Sequence, residues 1–344
     1  MSRETALWLN QMTLIGDTDK RGTAWHYRAD LQDGTGNHFP GAIPTDRISE
    51  LFAPWEPVES PLYVEIPEGS GNYIQVDGRK AITPIGHPES ILGVFSSDFQ
   101  IHGYDEWLHK GLSNLVDGDV HFSSAGLLMN GAVAWCELSI SETQTVADFE
   151  FKPHVLAYTS VNGKYATTFG RKVQAVVCDN TLSVAAAEKG DTVKVKHSKY
   201  SRMALQSARD TLGIIVGTAE AFTAEIEALA ALKVNDAAFG KVVDTLIPLD
   251  TETMTKMAAT KAEAKRDRIW AMYRNDARCA PWSGTAFGVV QTFNTWSHHE
   301  KEIRSSKGVK GIRAERNMVS AIDGTIDKET ANVMNALTLA GVGV

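Results

Sequence analysis

Cysteine and long apolar runs are both scarce in this sequence of 344 residues. The three cysteines, Cys136, Cys178 and Cys279, lie far apart and show no metal-ligand spacing. Because a small odd number of cysteines fits neither a disulfide framework nor a zinc site, we expect reduced thiols in a cytoplasm. No apolar run approaches the ~20 residues of a membrane-spanning helix, and the N-terminus lacks the pattern of a signal peptide. The sequence therefore predicts a cytoplasmic protein with no membrane partner.

The common catalytic signatures are also missing. There is no Walker loop, no GxGxxG after a strand, no GxSxG elbow and no HExxH helix. Nucleotide hydrolysis, dinucleotide chemistry, serine hydrolysis and zincin chemistry each depend on one of these motifs. We therefore expect no cofactor, and the sequence favours a binding protein over an enzyme.

Two groups of reactive side chains remain as candidates, the pair His298-His299 and the thiol of Cys178. Adjacent helical residues point about 100° apart, so the two histidines do not converge on a metal as an i, i+4 pair does. A thiol near a helix N-terminus has a lowered pKa, but no histidine lies nearby in sequence to act as a base. Structural roles are favoured for all three side chains.

Charge is distributed unevenly along the chain, although the net charge is only −8. Residues 1–160 carry 9 Lys/Arg and 22 Asp/Glu, a balance of −13, whereas residues 161–344 carry 25 and 20, a balance of +5. Such a division favours a polyanionic partner for the basic part. The alternatives are chance segregation and the mating of two faces in an oligomer.

An α+β fold is predicted, with a central antiparallel sheet, helices packed on one side and a helical C-terminal half. Asn130-Gly131 and Asn162-Gly163 each separate two apolar runs, which is a strong hairpin signal. Four or five antiparallel strands are expected, ending in the strand that carries Arg171. An earlier hairpin or meander is expected over residues 61–84, with turns at 67–71 and at Asp77-Gly78.

The chain is predicted to divide into three parts: an irregular, Trp-rich N-terminal α+β part (1–118), the central sheet with a long helix (119–232) and a helical C-terminal part (233–344). Periodicity and capping residues predict the helices. The predicted helices cover 45–52 with Thr45 as N-cap, 104–115, 182–188 capped by Asn180 or Thr181, 200–232, 235–247, 252–278 starting at Asp250 or Thr251, 285–302 and about 329–339.

A cluster of basic residues lies after residue 189 and beside the predicted central strand. Phosphate binding needs several cations together, and an aromatic side chain adds stacking on unpaired bases. A solvated helix terminus is the alternative interpretation, with about equal weight. The candidate nucleic-acid-binding residues are Arg171, Lys172, Lys194, Lys196, Lys199, Tyr200 and Arg202.

The segment GRKVQAVVCDNTLSVA, preceded by HVLAYTSVNGKYA, is similar to the central motif of the phage/plasmid-like protein family, domain-of-unknown-function family 932. That family tends to place its Arg directly before the apolar pair, whereas this sequence has QAVVC there and its Arg171 lies earlier. WSGTAFGVVQTFNTWSHHE resembles a second family pattern, with His298 in place of an aspartate, and RAERNMVSAIDG and Thr23–His26 resemble its closing and opening segments. The resemblance implies a phage, plasmid or prophage origin, and no particular activity.

These observations favour a phage-encoded DNA-metabolism protein that binds single-stranded DNA in the host cell cytoplasm. A cofactor-free annealing recombinase is one specific form of this function. An antiparallel sheet flanked by helices is similar, by fold-level analogy alone, to the core of phage annealing proteins. Homo-oligomers would then align the basic grooves of successive subunits. One alternative is a protein-binding module, a host-factor inhibitor or DNA mimic that uses the acidic N-terminal half. The other is a metal-dependent hydrolase that uses His298, His299 and scattered carboxylates.

Overall fold

A computed structural model gives the fold. It describes residues 8, 11–21, 36–113, 115–116, 120–140, 144–175, 181–182, 192–201, 219–250, 253–303 and 313–344. No helix within these ranges is both long and apolar enough to cross a membrane.

The named strands pair with one another in antiparallel fashion. They are β1 (Thr13–Ile15), β2 (Pro57–Glu65), β3 (Tyr73–Pro84), β4 (Gly93–Ser96), β5 (Val120–Leu128), β6 (Val133–Ile140), β7 (Gln144–Val146), β8 (Phe149–Ser160), β9 (Thr167–Ala175), β10 (Thr181–Leu182) and β11 (Thr192–Val195).

The helices are short at the N-terminal end of the chain and longer after residue 218. They are α1 (Thr18–Arg21), α2 (Thr45–Phe52), α3 (Lys110–Ser113), α4 (Ala219–Ala231), α5 (Asp236–Leu246), α6 (Lys256–Asn275), α7 (Ala286–Thr295), α8 (Arg313–Ile322) and α9 (Thr325–Leu339). One π-helical turn, Asp105–His109, leads into α3, and another, Trp296–Glu300, follows α7. The predicted α+β class with an antiparallel sheet and a helical C-terminal region is confirmed.

Two compact units make up the chain. The sheet unit comprises Met1–Glu142, His154–Arg171 and Glu188–Gly217, and the helical unit comprises Thr143–Pro153, Lys172–Ala187 and Thr218–Val344. The division of the sequence at residues 118 and 232 stays a prediction.

In the sheet unit, neighbouring strands follow the order β1-β5-β6-β8-β9, and β11 pairs with β9. Strand side chains alternate between the two faces of a sheet. On one face, Leu127, Cys136 and Ala157 belong to a single hydrophobic core. Ile48 and Phe52 of α2 join this core, as do Trp107 and Leu112 from the π-helical turn and α3. The helices of this unit therefore pack on one face of the sheet.

The helical unit has a core of its own, built from α4 to α7, α9 and the strand residues 146–151. Asn235, Thr255 and Thr285 cap α5, α6 and α7, because each side chain accepts a hydrogen bond from a backbone N–H three residues later. The indole of Trp282 donates to Ala147 O at 2.7 Å, which ties the start of α7 to the β7–β8 turn.

A separate three-stranded sheet, in the order β2-β3-β4, belongs to the sheet unit. The predicted turn at 67–71 is confirmed between β2 and β3, but the predicted turn at Asp77-Gly78 is wrong. The register passes from Pro61↔Lys80 to Tyr63↔Gln75, so β3 carries extra residues at this point. Gly78 has φ +71°. A positive φ within a strand is typical of a bulge, so the Asp-Gly pair bulges β3 instead of reversing it.

Several helix boundaries differ from those predicted. Thr45 is the first helical residue of α2, since Pro44 occupies its N-cap position. Thr181 and Leu182 pair with β9 as β10, which corrects the cap and the start predicted for a helix at 182. The helix expected from 252 begins at Lys256, while Asp250 accepts from Thr253 N instead. Strand β11 was not predicted at all. Residues 183–191 and 202–218 lie outside the described residues.

Candidate nucleic-acid interface

The predicted lysines lie on and after β11, in residues 194–200, which we call the lysine segment. Lys194 and Val195 pair with Thr168 and Thr167 of β9. Val195 is buried in the core, whereas Lys194 and Lys196 are exposed. Because alternate strand residues point to opposite sides, the buried valine directs its two lysine neighbours outward.

The three lysines of this segment, Lys194, Lys196 and Lys199, are exposed and form no ion pair within the described parts of the chain. The ammonium of Lys199 lies 5.2 Å from the ring centroid of Tyr200, whose side chain is 65% exposed. The segment therefore presents adjacent positive charges and one exposed aromatic ring.

The arginines of α6 and its C-terminal end are placed differently. Each of four arginines there contacts a carboxylate, so their positive charge is largely compensated within the helical unit. The pairs are Arg266–Asp244, Arg268–Glu300, Arg274–Asp236 at 2.7 Å and Arg278–Asp276 at 2.6 Å. These four arginine charges are thus compensated locally, whereas the lysines of the lysine segment form no ion pair among the described residues.

Beside the lysine segment, five flat rings form a stack that we call the aromatic column. Its successive ring centroids lie 4.0 Å (Phe95 to Phe99), 4.8 Å (Phe99 to His197), 3.9 Å (His197 to His102) and 3.5 Å (His102 to Trp107) apart. Trp107 and His102 are buried, while Phe95 and Phe99 are partly exposed. The column therefore runs from the core of the sheet unit to its surface.

Hydrogen bonds fix both histidines of the column. His102 Nδ1 lies 2.5 Å from Thr167 Oγ1, which in turn lies 2.6 Å from Thr159 Oγ1. His197 Nδ1 donates to Gln100 O at 2.9 Å. Burial, with a smaller effect from His197, lowers the pKa of His102 to about 2. Burial also lowers the pKa of His197, so both rings are neutral at neutral pH and act as aromatic surfaces.

The remaining predicted phosphate contacts are Arg171, Lys172 and Arg202. The backbones of Arg171 and Lys172 lie in β9, directly beyond the pairing of Gly170 with Thr192. Their side chains and Arg202 lie outside the described residues, so their part in the interface stays a prediction.

A Ser, a His and an Asp meet elsewhere in the sheet unit, at Ser49, His109 and Asp105. Ser49 Oγ donates to Asp105 Oδ1 at 2.9 Å and lies 3.0 Å from His109 Nδ1. The same Nδ1 lies 2.8 Å from Asp105. A catalytic relay needs Ser and Asp on opposite ring nitrogens, so this arrangement instead ties α2 to the π-helical turn.

The histidine pair of the helical unit, His298 and His299, lies in the second π-helical turn. His298 is buried and its Nδ1 donates to Asn294 O at 2.9 Å, and burial lowers its pKa to about 4. The rings of His298 and His299 lie 6.4 Å apart. Within the described residues there is no group of three or more His, Cys, Asp or Glu suited to a metal ion. Cys178 lies outside the described residues.

A family model described as a domain of unknown function, DUF932, matches residues 91–319. The chain belongs to the DUF932 family. No curated protein and no solved structure matches it significantly. The DUF932 region includes the lysine segment, the aromatic column and both π-helical turns, while β2 and β3 precede it.

The column residues Phe99, His102 and His197 were not predicted as site residues. One local signal was available for His197, since Lys194 to His197 alternates charged and less polar residues as a half-buried strand does. His102 and Phe99 show no such signal, because their roles depend on stacking with a residue far along the DUF932 chain.

Proposed function

We propose that this DUF932 protein is a phage-encoded DNA-metabolism protein that binds single-stranded DNA through the lysine segment and the outer rings of the aromatic column. The observation that carries this proposal is the position of Lys194, Lys196 and Lys199, which are exposed and form no ion pair with any described residue, beside a ring stack that reaches the surface.

Unpaired lysines are suited to phosphate binding because they need not break an existing ion pair. Each phosphate neutralised on a single strand releases counterions, and this release makes affinity depend on salt. The paired arginines of α6 would first have to leave their carboxylates. Phosphates are therefore expected to follow residues 194–199.

Exposed rings supply the second part of the interaction. Unpaired bases stack on aromatic side chains, at about 1 to 3 kcal/mol per base, and this contact tolerates any sequence. Tyr200 is largely exposed, and Phe99 is partly exposed next to His197. A binding mode that combines lysine–phosphate contacts with base stacking on aromatic rings favours single-stranded DNA. The bases of double-stranded DNA are already paired and stacked.

The biological setting is also part of the proposal. Membership of DUF932, together with the phage resemblance of its motifs, supports action in the host cell cytoplasm. Annealing of complementary strands without a cofactor is the specific reaction proposed, with homo-oligomers that hold one strand along successive lysine segments.

Fluorescence anisotropy with a labelled oligothymidine measures this binding as salt is raised. We expect the affinity of the native protein to fall steeply with salt. A variant with Lys194, Lys196 and Lys199 each changed to Met is expected to lower the magnitude of the log–log slope by about 2, at roughly 0.7 per phosphate. The matched control changes the paired Arg266 and Arg274 to Met, and its slope is expected to stay close to native.

Equal slopes for the lysine variant and the control would overturn the assignment of the interface. Failure of the native protein to bind any oligonucleotide at low salt would overturn the DNA proposal itself.

The second candidate function is a protein-binding module, and a specific observation favours it. Residues 61–79 of the β2–β3 hairpin form an arm whose apolar side chains are exposed, including Tyr63, Ile66, Tyr73 and Ile74. Exposed Glu68 and Asp77 lie among them. An isolated two-stranded hairpin is marginally stable in water, so this arm suits an apolar groove with a basic rim on a host protein.

Photocrosslinking in host cells, with a photoreactive residue at position 73, distinguishes this protein-binding function from DNA binding. The protein-binding function predicts one discrete crosslinked partner, lost when Ile66 and Ile74 are changed to Ser. The same photoreactive residue at the exposed position Glu263 of α6 is the control. If position 73 crosslinks to no discrete partner while the protein shows salt-dependent oligonucleotide binding, the protein-binding function is rejected and the DNA-binding function is retained.

A further inference from the structure

The helical unit contains a cavity of about 160 Å³ between α6, α7, the second π-helical turn and α9. Its lining includes the apolar side chains Val290, Phe293, Ile326 and Val333. Polar side chains line it as well. They are Lys265, Asn294, Ser297, Lys301, Glu329, Thr330 and Asn332.

One side chain that lines this cavity, Asn294, has a buried donor without a hydrogen-bond partner among the described residues. Asn294 is only 7% exposed, and its Nδ2 forms no hydrogen bond with any described residue. A buried amide N–H₂ without an acceptor costs about 1 to 3 kcal/mol. Because this atom is itself almost inaccessible, a ligand in the cavity contacts the other polar lining groups instead.

The positive charges of the cavity are unequal. Lys301 pairs with Glu329, which also accepts from Ser297 Oγ, so this lysine is already compensated. The half-buried Lys265 has no carboxylate in ion-pair distance among the described residues. Its ammonium instead lies 4.1 Å from the ring centroid of Trp296. The cavity as a whole therefore carries one uncompensated positive charge.

We propose that this cavity binds a small organic carboxylate with a flat apolar body. The carboxylate accepts a hydrogen bond from the Lys265 ammonium, and the apolar body packs on Phe293, Val290 and Val333. A cavity near 150 Å³ holds a benzene ring, so the volume fits one aromatic ring and its substituent. This site is separate from the proposed DNA interface and does not depend on it.

The state of Lys265 agrees with this occupant. Burial, and next the charge of Lys301, lowers the pKa of Lys265, with Glu329 acting weakly in the opposite direction. A bound anion favours the charged lysine and raises that pKa again. Affinity for the anion is therefore expected to fall as pH rises and Lys265 loses its proton.

Isothermal titration calorimetry with benzoate as the probe tests the site, with benzyl alcohol as the neutral comparison. We expect benzoate to bind with a Kd of about 1 mM or tighter, and benzyl alcohol at least ~10-fold more weakly. Lys265→Met keeps the aliphatic stem and removes the charge, and it is expected to weaken benzoate binding by ~10-fold or more.

The control variant is Lys261→Met, which removes an exposed lysine one turn earlier on α6 that does not line the cavity. Its benzoate affinity is expected to equal that of the native protein. Circular dichroism melting of each variant separates lost binding from lost folding. The proposal is overturned if benzoate fails to bind the folded native protein, if it binds no better than benzyl alcohol, or if Lys265→Met binds it as well as Lys261→Met does.

Discussion

The imidazoles of His102 and His197 stack on each other, with ring centroids 3.9 Å apart and ring planes 21° apart. Two imidazolium ions would repel at this distance, and burial lowers the pKa of both rings. The pair is thus a neutral aromatic contact that holds the lysine segment against the core of the sheet unit.

Acid should destabilise the protein through His102. Its folded-state pKa is about 2, below the unfolded value of about 6.5. Between these two pH values only the unfolded chain binds this proton. Stability is then lost as pH falls, at about 1.4 kcal/mol per pH unit. His102→Phe removes this proton uptake and is expected to retain about 2 to 3 kcal/mol more of its neutral-pH stability at a pH near 4.5.

Urea unfolding of native protein and variant at several pH values measures the effect. Trp107→Phe also changes the column but removes no titrating group. It is expected to lower the free energy of unfolding equally at every pH, so that its slope against pH stays that of the native protein. If the native protein and His102→Phe instead lose free energy of unfolding in parallel as pH falls, the buried histidine is protonated in the folded state.

His197 is expected to act as a positioning residue for the neighbouring lysines. His197→Ala removes the ring between Phe99 and His102, and we expect it to weaken oligothymidine binding by about 3- to 10-fold, the effect of a lost contact of roughly 1 kcal/mol. His197→Phe keeps the stack and is expected to restore binding. Hydrogen exchange at residues 194–200 should accelerate in the alanine variant alone, which a purely ionic role would not produce.

Tyr200 is predicted to stack on a base. Tyr200→Ala is expected to lose about 1 to 3 kcal/mol of binding free energy, and Tyr200→Phe is expected to lose little, because the stacking face is kept. The side chain is 65% exposed, so neither change should alter the free energy of unfolding. Loss of binding in both variants would assign the contact to the hydroxyl group instead.

Two helical glycines are predicted to respond in opposite directions to alanine. A Cβ at Gly288 of α7 would lie 2.0 Å from Trp282 O, which is backbone and cannot rotate away. Gly288→Ala is therefore expected to destabilise the protein by about 1 to 3 kcal/mol. A Cβ at Gly240 of α5 meets only Trp270 at 3.9 Å, so Gly240→Ala should stabilise by up to about 1 kcal/mol. Thermal and urea unfolding of both variants checks the contrast.

Local signals predicted the parts of the fold that depend on near neighbours. Asn130-Gly131 and Asn162-Gly163 mark confirmed hairpins, since a tight turn depends mainly on its own residues. The same type of pair at Asp77-Gly78 was misjudged, because only the register with β2 decides between a turn and a bulge. Strand β11 was missed because the alternation from Lys194 to His197 covers only four residues, which is a weak strand signal.

The candidate site was predicted in part. The exposed lysines and Tyr200 follow from composition alone, and all four lie at the surface. That the three lysines form no ion pair within the described ranges, in contrast to Arg266 or Arg274, depends on where distant carboxylates lie. No sequence pattern carries that information.

The sequence alone determined the α+β class, the antiparallel hairpins, the helical C-terminal region and the family, because each is encoded in short periodic or motif-like stretches. Only the tertiary structure decided that His197 meets His102, which cations remain uncompensated, and that Asn294 and Lys265 share a cavity. Each of these depends on distances between residues remote in sequence, which are set by packing of the whole unit.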